Sequence, residues 1–356
     1  MAVEQRTPWA DAVRRFKKNK MAIVGLIMVC FLVFVALFAD VLANNKPIVL
    51  VTENGLFFPA VLDVPVYIKY NGEVYWPIFS DKFIELVKRE KKVAYDDVMQ
   101  IASYYGGKVK FKLMPPIPYS YDEVNLDEVR QFCSKKHWLG TDEKGRDILA
   151  RIIHGSRVSL EVGVISQLIA LAIGVVLGLV AGYFGGWIDN LIMRITDIVF
   201  AFPFLLFVMA ITSVVRPGID VVFIAMGLVG WPSYARLVRA QVLSVKEMEY
   251  VQAAVVLGAS TPRVLFVHIL PNVTAPIIVQ ATLGMAGAIL AEAGLSFLGL
   301  GAQPPTPSWG LMIHSAQVDI DPYWWMSIFP GLAIAFAVLA FNMFGDGLRD
   351  ALDPKM

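Results

Sequence analysis

The segment YVQAAVVLGASTPRVLFVHILPN, residues 250–272, lies between two long apolar runs and predicts two short helices joined by a sharp bend. Gly258 is expected to end the first helix, because glycine enters the left-handed conformation at little cost. Thr261 is expected to cap the second helix, with Pro262 at its first position, where a missing N–H costs nothing. Residues 238–272 are therefore predicted to form a helical hairpin.

This hairpin is too polar to lie in lipid. Ala254 and Gly258 are four residues apart, so another backbone can approach that helical face closely. The segment is therefore predicted to lie against another protein. Its charged and amide side chains are Arg239, Gln241, Lys246, Glu247, Glu249 and Gln252.

The composition of the chain is that of an integral membrane protein. Of its 356 residues, 57% are hydrophobic and only 17% are charged, whereas soluble proteins average about 25% charged residues. The mean hydropathy is +0.60. The net charge of +1 carries no information as a total.

Six apolar runs have the length of membrane spans, since about 20 helical residues cross a hydrocarbon core of about 30 Å. The predicted spans are residues 21–43, 159–183, 195–215, 221–237, 273–298 and 324–340. Residues 1–20 are predicted to form an N-terminal arm and residues 138–356 a five-helix core that contains the hairpin.

The charge distribution predicts the orientation of the spans. A basic cluster precedes the first span, which places the N-terminus in the cytoplasm by the positive-inside rule. Six spans then return the C-terminus and the hairpin to that side. A cleaved signal peptide is disfavoured, because the first apolar run is too long and lacks a good cleavage site. Four basic residues before the second span oppose this orientation: Lys144, Arg146, Arg151 and Arg157.

Residues 44–137, between the first two spans, are predicted to form a small α+β lobe outside the cell membrane. Asn71-Gly72 separates two β-rich runs, which is a strong hairpin signal. Residues 80–92 have the spacing of a capped helix, and the proline-rich residues 112–124 are expected to be extended. The lobe is either a surface decoration or a docking element for whatever delivers the solute.

Motifs of common enzyme classes are absent from the sequence. It has no G-x-x-x-x-G-K-[ST] loop for nucleotide, no H-E-x-x-H metal motif and no G-x-S-x-G nucleophile turn. Its four histidines lack metal-ligand spacing, and Cys30 and Cys133 are too far apart in topology to pair. A membrane enzyme is therefore disfavoured.

Glu292 is the carboxylate within a predicted span that merits a functional hypothesis, because ionisable groups in spans are costly and face cavities or partners. It is a candidate for a gate or the substrate path, but its place near the end of its helix also fits a structural role. Arg194 and Asp197, three residues apart, are expected to form a structural pair.

Several long motifs resemble the membrane subunits of binding-protein-dependent ABC importers, within the peptide/nickel permease family. Gln252-Ala253-Ala254, Gly258 and Leu270-Pro271 have the spacing of the EAA loop of that family. The chain also resembles the family in residues 9–26 (WADAVRRFKKNKMAIVGL), 137–163, 295–313 and 344–354 (FGDGLRDALDP). The enlarged outer loop is similar to the subgroup that takes up oligopeptides.

The resemblance implies an all-α, type I importer fold with six transmembrane helices and a small α+β insert, in the inner membrane of a prokaryote. It implies a second permease subunit, two ATPase subunits and an extracytoplasmic solute-binding protein as partners, with lipid around the spans and no nucleic acid. The chain itself would bind no cofactor, because the ATPases hold ATP and magnesium. The coupling residues it implies are Gln252, Ala253, Ala254, Gly258, Arg263, Leu270 and Pro271.

Two residues depart from the family pattern. Gln252 stands where the broad family has glutamate, and His268 stands at an isoleucine position.

Two alternative functions also remain. The same machine could carry nickel or sugars, or the chain could be an ion-coupled secondary transporter, although the latter typically has repeated halves and broken helices.

Overall fold

The computed structural model describes residues 8–78, 80–90, 92–94, 97–319 and 321–353. The chain divides into two compact units. The first comprises the described residues of Met1–Val33, Val158–Gln317 and Ser327–Met356, and the second those of Phe34–Arg157 and Val318–Met326.

Helices dominate the chain, and a small sheet lies within its first third. The helices are α1 (Pro8–Lys18), α2 (Lys20–Leu37), α3 (Ala39–Leu42), α4 (Lys82–Glu90), α5 (Val98–Tyr105), α6 (Ile148–Phe184), α7 (Gly186–Ala201), α8 (Phe204–Val215), α9 (Ile219–Val245), α10 (Glu249–Val256), α11 (Thr261–Arg263), α12 (Leu270–Phe297), α13 (Trp309–Ala316) and α14 (Trp325–Leu352). A π-helical segment, Val264–Ile269, joins α11 to α12. The strands are β1 (Val49–Thr52), β2 (Gly55–Phe57), β3 (Tyr67–Tyr70), β4 (Glu73–Tyr75) and β5 (Val109–Leu113).

Five helical stretches of the described chain are long and apolar enough to cross a membrane. They are α2, α6, α9, the continuous stretch Thr261–Phe297 and α14. These helices contain most of the predicted first, second, fourth, fifth and sixth spans. The predicted fold, an all-α membrane protein with a small sheet-bearing insert, is confirmed.

The predicted third span, residues 195–215, is wrong as a single helix. It is divided into α7 and α8, which are bent by 84° relative to each other. The break falls at Phe202 and Pro203, where Phe202 has an extended backbone with φ −92° and ψ 133°. Proline disfavours a helical conformation at the preceding residue and lacks an N–H. The hydropathy pattern alone did not reveal this break.

Close helix packing in the first unit depends on glycines spaced four residues apart in α6. Gly174, Gly178 and Gly182 all face α9. A Cβ atom on Gly178 would lie 2.7 Å from both the Ala235 carbonyl oxygen and the Val238 Cβ atom. Small residues at this spacing allow membrane helices to approach backbone to backbone. The α6–α9 contact therefore fixes the position of α9, which leads into the hairpin.

The second unit contains a five-stranded antiparallel sheet in the order β4-β3-β2-β1-β5. The predicted hairpin at Asn71-Gly72 is confirmed, with φ values of 51° and 85° that fit a turn between right-handed twisted strands. Helices α4 and α5 cover one face of the sheet. The buried core consists of Leu50, Phe57, Ile68, Phe83, Val87, Val98, Ile101, Ala102 and Tyr105.

The basic residues before the second span are largely neutralised by acids of the same unit. Arg146 contacts Asp142 at 2.7 Å and Glu143 at 2.9 Å. Arg157 contacts Asp40 at 3.0 Å. These pairs explain how basic residues precede this span without forming an unpaired positive cluster.

Replacement of Gly178 by alanine is expected to destabilise the protein, by about 1–3 kcal/mol, because the added methyl group overpacks the α6–α9 contact. The measurement is thermal unfolding of the purified protein in mild detergent. Gly331→Ala on α14 is the matched control, since a Cβ atom there has no neighbour within 4 Å. Equal melting temperatures for the two variants would contradict the close approach of α6 and α9.

Candidate functional site

Residues 250–272 form the predicted helical hairpin. Helix α10 ends in a left-handed turn at Gly258, whose φ is 81°. The N–H of Gly258 donates to the Val255 carbonyl group, and the N–H of Ala259 donates to that of Ala254, each at 3.0 Å. This pair of bonds is the Schellman arrangement for ending a helix. The expectation that Gly258 forms the bend is confirmed.

The expected cap of the second helix is wrong by one residue. Ser260 is the N-cap, with extended backbone angles, and Thr261 and Pro262 are the first two helical residues. The hydroxyl group of Ser260 makes no capping hydrogen bond. Proline is tolerated within the first turn as well as at its start, so the sequence pattern fitted either register.

The predicted coupling residues differ in exposure. Gln252, Ala253, Gly258, Arg263 and Pro271 are exposed. Ala254 and Leu270 are half-buried. The helical face that contains Ala254 and Gly258 is thus only partly available for contact. Other residues provide most of the surface of the bend.

Sequence reasoning missed the most exposed apolar residues of the hairpin. Val256 and Leu257 are each 86% exposed, immediately before the bend at Gly258. Adjacent Val255 is 47% exposed. The sequence did contain a signal for this surface, because these apolar residues stand beside a glycine bend in a polar loop. Apolar side chains in contact with water commonly mark a binding surface.

The other face of the hairpin is anchored on the membrane helices. Val251 of α10 and Val264, Leu265 and Ile269 of the π-helical segment are buried. They belong to a single apolar cluster with Leu179 of α6, Val238 and Val242 of α9, and Val273 and Ile277 of α12. The hairpin is therefore packed as one body with the ends of three spans.

Polar contacts brace the end of α9 next to the hairpin. Arg239 makes two hydrogen bonds of 2.5 Å to the carboxylate of Asp189 on α7. Lys246 donates to the Gly182 carbonyl oxygen at 3.1 Å. The expected Arg194–Asp197 pair is wrong, because Asp197 instead accepts from Arg236 at 2.6 Å. A pair between two helices was not visible from spacing within one helix.

Gln252 contacts a carboxylate of its own loop. Its amide nitrogen lies 3.3 Å from the Glu247 carbonyl oxygen and 3.4 Å from the Glu247 Oε2 atom. Both side chains lie at the surface. The loop therefore carries a negative charge beside Gln252, although position 252 itself is neutral.

Glu292 lies on α12 and is fully buried. Ser296 donates to its Oε1 atom at 2.6 Å, and Ser159 of α6 donates to its Oε2 atom at 3.3 Å. The Ser308 side chain, which caps α13, also hydrogen-bonds this carboxyl group. The arrangement links α12 to α6 and to the start of α13. Its role as a gate remains a prediction.

Comparison with known proteins identifies the family of this chain. Residues 174–356 match the family described as "Binding-protein-dependent transport system inner membrane component". Residues 7–54 match the "N-terminal TM domain of oligopeptide transport permease C". The dipeptide transport system permease protein DppC of Alkalihalophilus pseudofirmus is 39% identical over 350 residues, which are 98% of this chain and 91% of that protein. The chain is a permease of this family.

Other relatives are similar to the permease over most of its length. The glutathione transport system permease protein GsiD of Escherichia coli is 37% identical over 353 residues, covering 99% of this chain and 92% of that protein. The di/tripeptide transport system permease protein DppC of Pseudomonas aeruginosa is 51% identical over 218 residues, covering 61% and 72%. An inward-facing structure of the MetNI methionine ABC transporter matches with a TM-score of 0.47 and 16% identity, over 58% of this chain and 98% of that one.

The inner-membrane location and the multi-pass character of the permease follow from this family and from its apolar helices. The family match covers the entire hairpin together with α9, α12 and α14. The N-terminal match covers α2 and the first residues of the lobe. The lobe itself lies mostly outside both family matches.

Replacement of Gly258 by valine is expected to reduce ATP-driven uptake strongly while the permease still inserts. A β-branched residue at φ 81° is strained by about 1–2 kcal/mol or more, which would displace the bend. Gly258→Asn is the matched control, because asparagine tolerates the left-handed conformation. Uptake into liposomes and the elution volume in detergent are the two measurements. Full uptake by the valine variant would contradict a role of the bend in transport.

Replacement of Glu292 by glutamine is expected to preserve uptake, because an amide can still accept from the surrounding serine hydroxyl groups. Glu292→Leu should instead lower stability by about 1–3 kcal/mol, since the buried hydroxyl groups lose their partner. Uptake and thermal unfolding are measured on both variants. Abolished uptake in a stable glutamine variant would favour a gate or a proton-coupled role.

Proposed function

We propose that this permease is one of two membrane subunits of an ATP-driven importer for peptides or peptide-like solutes. The observation that carries the proposal is the exposed helical hairpin, which is packed on the ends of three membrane helices. The names of the similar permeases, for dipeptides, di/tripeptides and glutathione, support peptides as the cargo over nickel or sugars.

The hairpin is the docking element for an ATPase subunit. Its exposed apolar residues, Val256 and Leu257, lie in a loop with charged neighbours and cannot be covered by lipid. A hydrophobic groove of a soluble partner would cover them. ATP and magnesium bind to that partner, and this chain binds neither.

The neutral Gln252 fits such a contact because Glu247 lies beside it. An arginine of the ATPase can form an ion pair with the Glu247 carboxylate and donate a hydrogen bond to the side-chain carbonyl oxygen of Gln252. The coupling residues Ala253, Ala254, Arg263, Leu270 and Pro271 form the remaining surface and base of the hairpin.

Motion passes from the ATPases to the spans because the hairpin does not move independently of them. Val251 and Ile269 are buried against α9 and α12. Closure of an ATPase dimer on ATP therefore displaces α9 and α12 together with the hairpin. The two permease subunits then alternate between outward-open and inward-open arrangements.

The N- and C-termini lie in the cytoplasm of a prokaryote, on the side of the hairpin. Contacts between the two ends support a common side: Asn19 donates to Asp350 at 3.1 Å, and the rings of Phe16 and Phe344 are 5.9 Å apart. The sheet-bearing lobe then faces outward, where it docks the solute-binding protein.

Leu257→Asp is expected to abolish co-purification of the ATPase subunits, because a carboxylate would have to be buried in an apolar contact. The measurement is the subunit ratio after affinity purification of the assembled importer in mild detergent. Leu126→Asp in the lobe is the matched control, with a leucine that is 76% exposed rather than 86%. Unchanged ATPase recovery with Leu257→Asp would contradict docking at this surface.

Reconstitution of the purified importer with its binding protein tests the function itself. Liposomes containing ATP on the hairpin side are expected to accumulate labelled di- or tripeptides, and omission of magnesium should stop uptake. Nickel and a sugar serve as alternative cargoes in the same assay. Accumulation that needs an ion gradient and no ATP would favour a secondary transporter.

A further inference from the structure

Two cavities lie along the same pair of membrane helices in the first unit. The first has a volume of about 480 Å³ and the second about 670 Å³. Residues of α9 and α12 line both. Neither cavity includes Glu292, the candidate that the sequence suggested for the solute path.

The two cavities follow one another along both helices. On α9, Met226 to Tyr234 line the first cavity, and Leu237 and Gln241 line the second. On α12 the first cavity extends down to Gln280, which also lines the second. Residue numbers rise from the first cavity to the second on α9 and fall on α12, because the two helices run in opposite directions. Gln280 therefore lies at the junction of the two cavities, which together are called the groove.

This groove has a length comparable to the thickness of a membrane. Its lining residues span Ala275 to Ala291 on α12 and Met226 to Gln241 on α9. At a rise of about 1.5 Å per residue, each span is about 22–24 Å long. The hydrocarbon core is about 30 Å thick. The groove is thus nearly as long as that core is thick.

The interrupted span independently supports a water-filled groove. Phe202 and Pro203, at the break between α7 and α8, line the first cavity together with Phe200 and Phe204. Non-helical backbone at membrane depth is tolerated where it is buried in protein or borders an aqueous cavity. Carbonyl groups at the end of α7 and N–H groups at the start of α8 that lack an intrahelical partner can be hydrated from the groove.

The groove presents neutral hydrogen-bonding groups. Gln167, Ser233, Tyr234 and Gln280 line the first cavity, and the Tyr234 hydroxyl group donates to Gln167 Oε1 at 2.5 Å. No Asp, Glu, Lys, Arg or His is among the described residues that line it. Charged residues enter only in the second cavity, as Arg349 and Asp353 near the end of α14.

Side-chain amides both donate and accept hydrogen bonds, as the peptide bond does. Lining amides and hydroxyl groups can therefore replace the water around a peptide backbone. The wall of the first cavity has no fixed charge among its described lining residues, so it neither attracts nor repels a charged solute side chain there. The volume of about 480 Å³ of the first cavity falls in the usual range for small-molecule sites, about 300–1,000 Å³.

We propose that this groove is the wall that the permease contributes to the solute route, with Gln280 at its neck, where the two cavities meet, and that its first cavity binds backbone amides without selecting side-chain charge. The inference rests on the proposed importer function. The second permease subunit supplies the opposite wall.

A single added charge at the neck tests this inference. In the reconstituted importer, Gln280→Glu is expected to lower uptake of Ala-Glu-Ala relative to Ala-Lys-Ala by fivefold or more. Each ratio is normalised to that of the unaltered importer, which cancels the preference of the binding protein. Gln280→Met, similar in shape and neutral, is expected to leave the normalised ratio unchanged.

The possible results test the assignment of the groove and the proposed importer function separately. Normal uptake by Gln280→Glu with an unchanged ratio would overturn the assignment of the groove, while the proposed function would stand. Absence of ATP-driven peptide uptake by the unaltered importer would overturn the function instead. If Gln280→Glu and Gln280→Met change the normalised uptake ratio equally, Gln280 acts through its shape and not through exposure to the solute.

A labelling experiment covers the case in which Gln280→Glu does not assemble. Cys30 and Cys133 are first replaced by serine, and Gly287→Cys or Leu290→Cys is introduced on α12. Gly287 lines the first cavity, where a Cβ atom has no neighbour within 4 Å. Leu290 is 57% exposed and lines neither cavity. In the assembled importer, a charged, water-soluble thiol reagent should modify the cysteine at position 287 and spare that at 290. Protection at 287, or equal reaction at both positions, would overturn the inference.

Discussion

Within the hydrocarbon of a membrane, no water is available to peptide groups, so each backbone N–H and C=O must find a partner inside the protein. Most of this permease obeys that constraint through long unbroken helices, such as the 37 residues of α6. Two of the places that depart from regular helix belong to the parts with proposed functions. The α7–α8 break borders a cavity, and the left-handed bend at Gly258 lies in the exposed hairpin.

Close helix contact determines where these two irregular sites lie. The glycine face of α6 brings α9 within backbone distance, and α9 carries both the wall of the groove and the start of the hairpin. The apolar cluster around Val238 and Ile269 then fixes the hairpin on α9 and α12. An added side chain at Gly178 would therefore affect both sites, although it touches neither. Backbone packing, and not direct contact with solute or ATPase, determines the geometry of both.

The sequence predicted features that depend on local chemistry or on hydropathy. Five of the six spans follow from the hydropathy of about 20 consecutive residues, and the Asn71-Gly72 hairpin and the bend at Gly258 each depend on a few adjacent residues. The third span, which is broken at Phe202 and Pro203, is the exception. The sequence failed where the outcome depends on contacts between distant segments. Asp197 pairs with Arg236 across two helices, not with Arg194 on its own helix. The groove was invisible because Gln167, Tyr234 and Gln280 meet only when three helices pack, and each amide alone has no recognisable pattern.

Helix α12 connects all the proposed elements in one continuous segment. It follows the π-helical residues Val264–Ile269, whose wider turn and neighbouring Pro271 weaken regular hydrogen bonding near the hairpin. Side chains compensate there: Asn272 donates to the His268 carbonyl oxygen, and Thr274 to that of Leu270, each at 2.8 Å. Gln280 lies about two turns further along, and Glu292, held by its serine hydroxyl groups, secures the distant end. In the proposed importer, a displacement of the hairpin would reach the neck of the groove over about 15 Å of helix, counted from Leu270, while the Glu292 contacts hold the far end against α6.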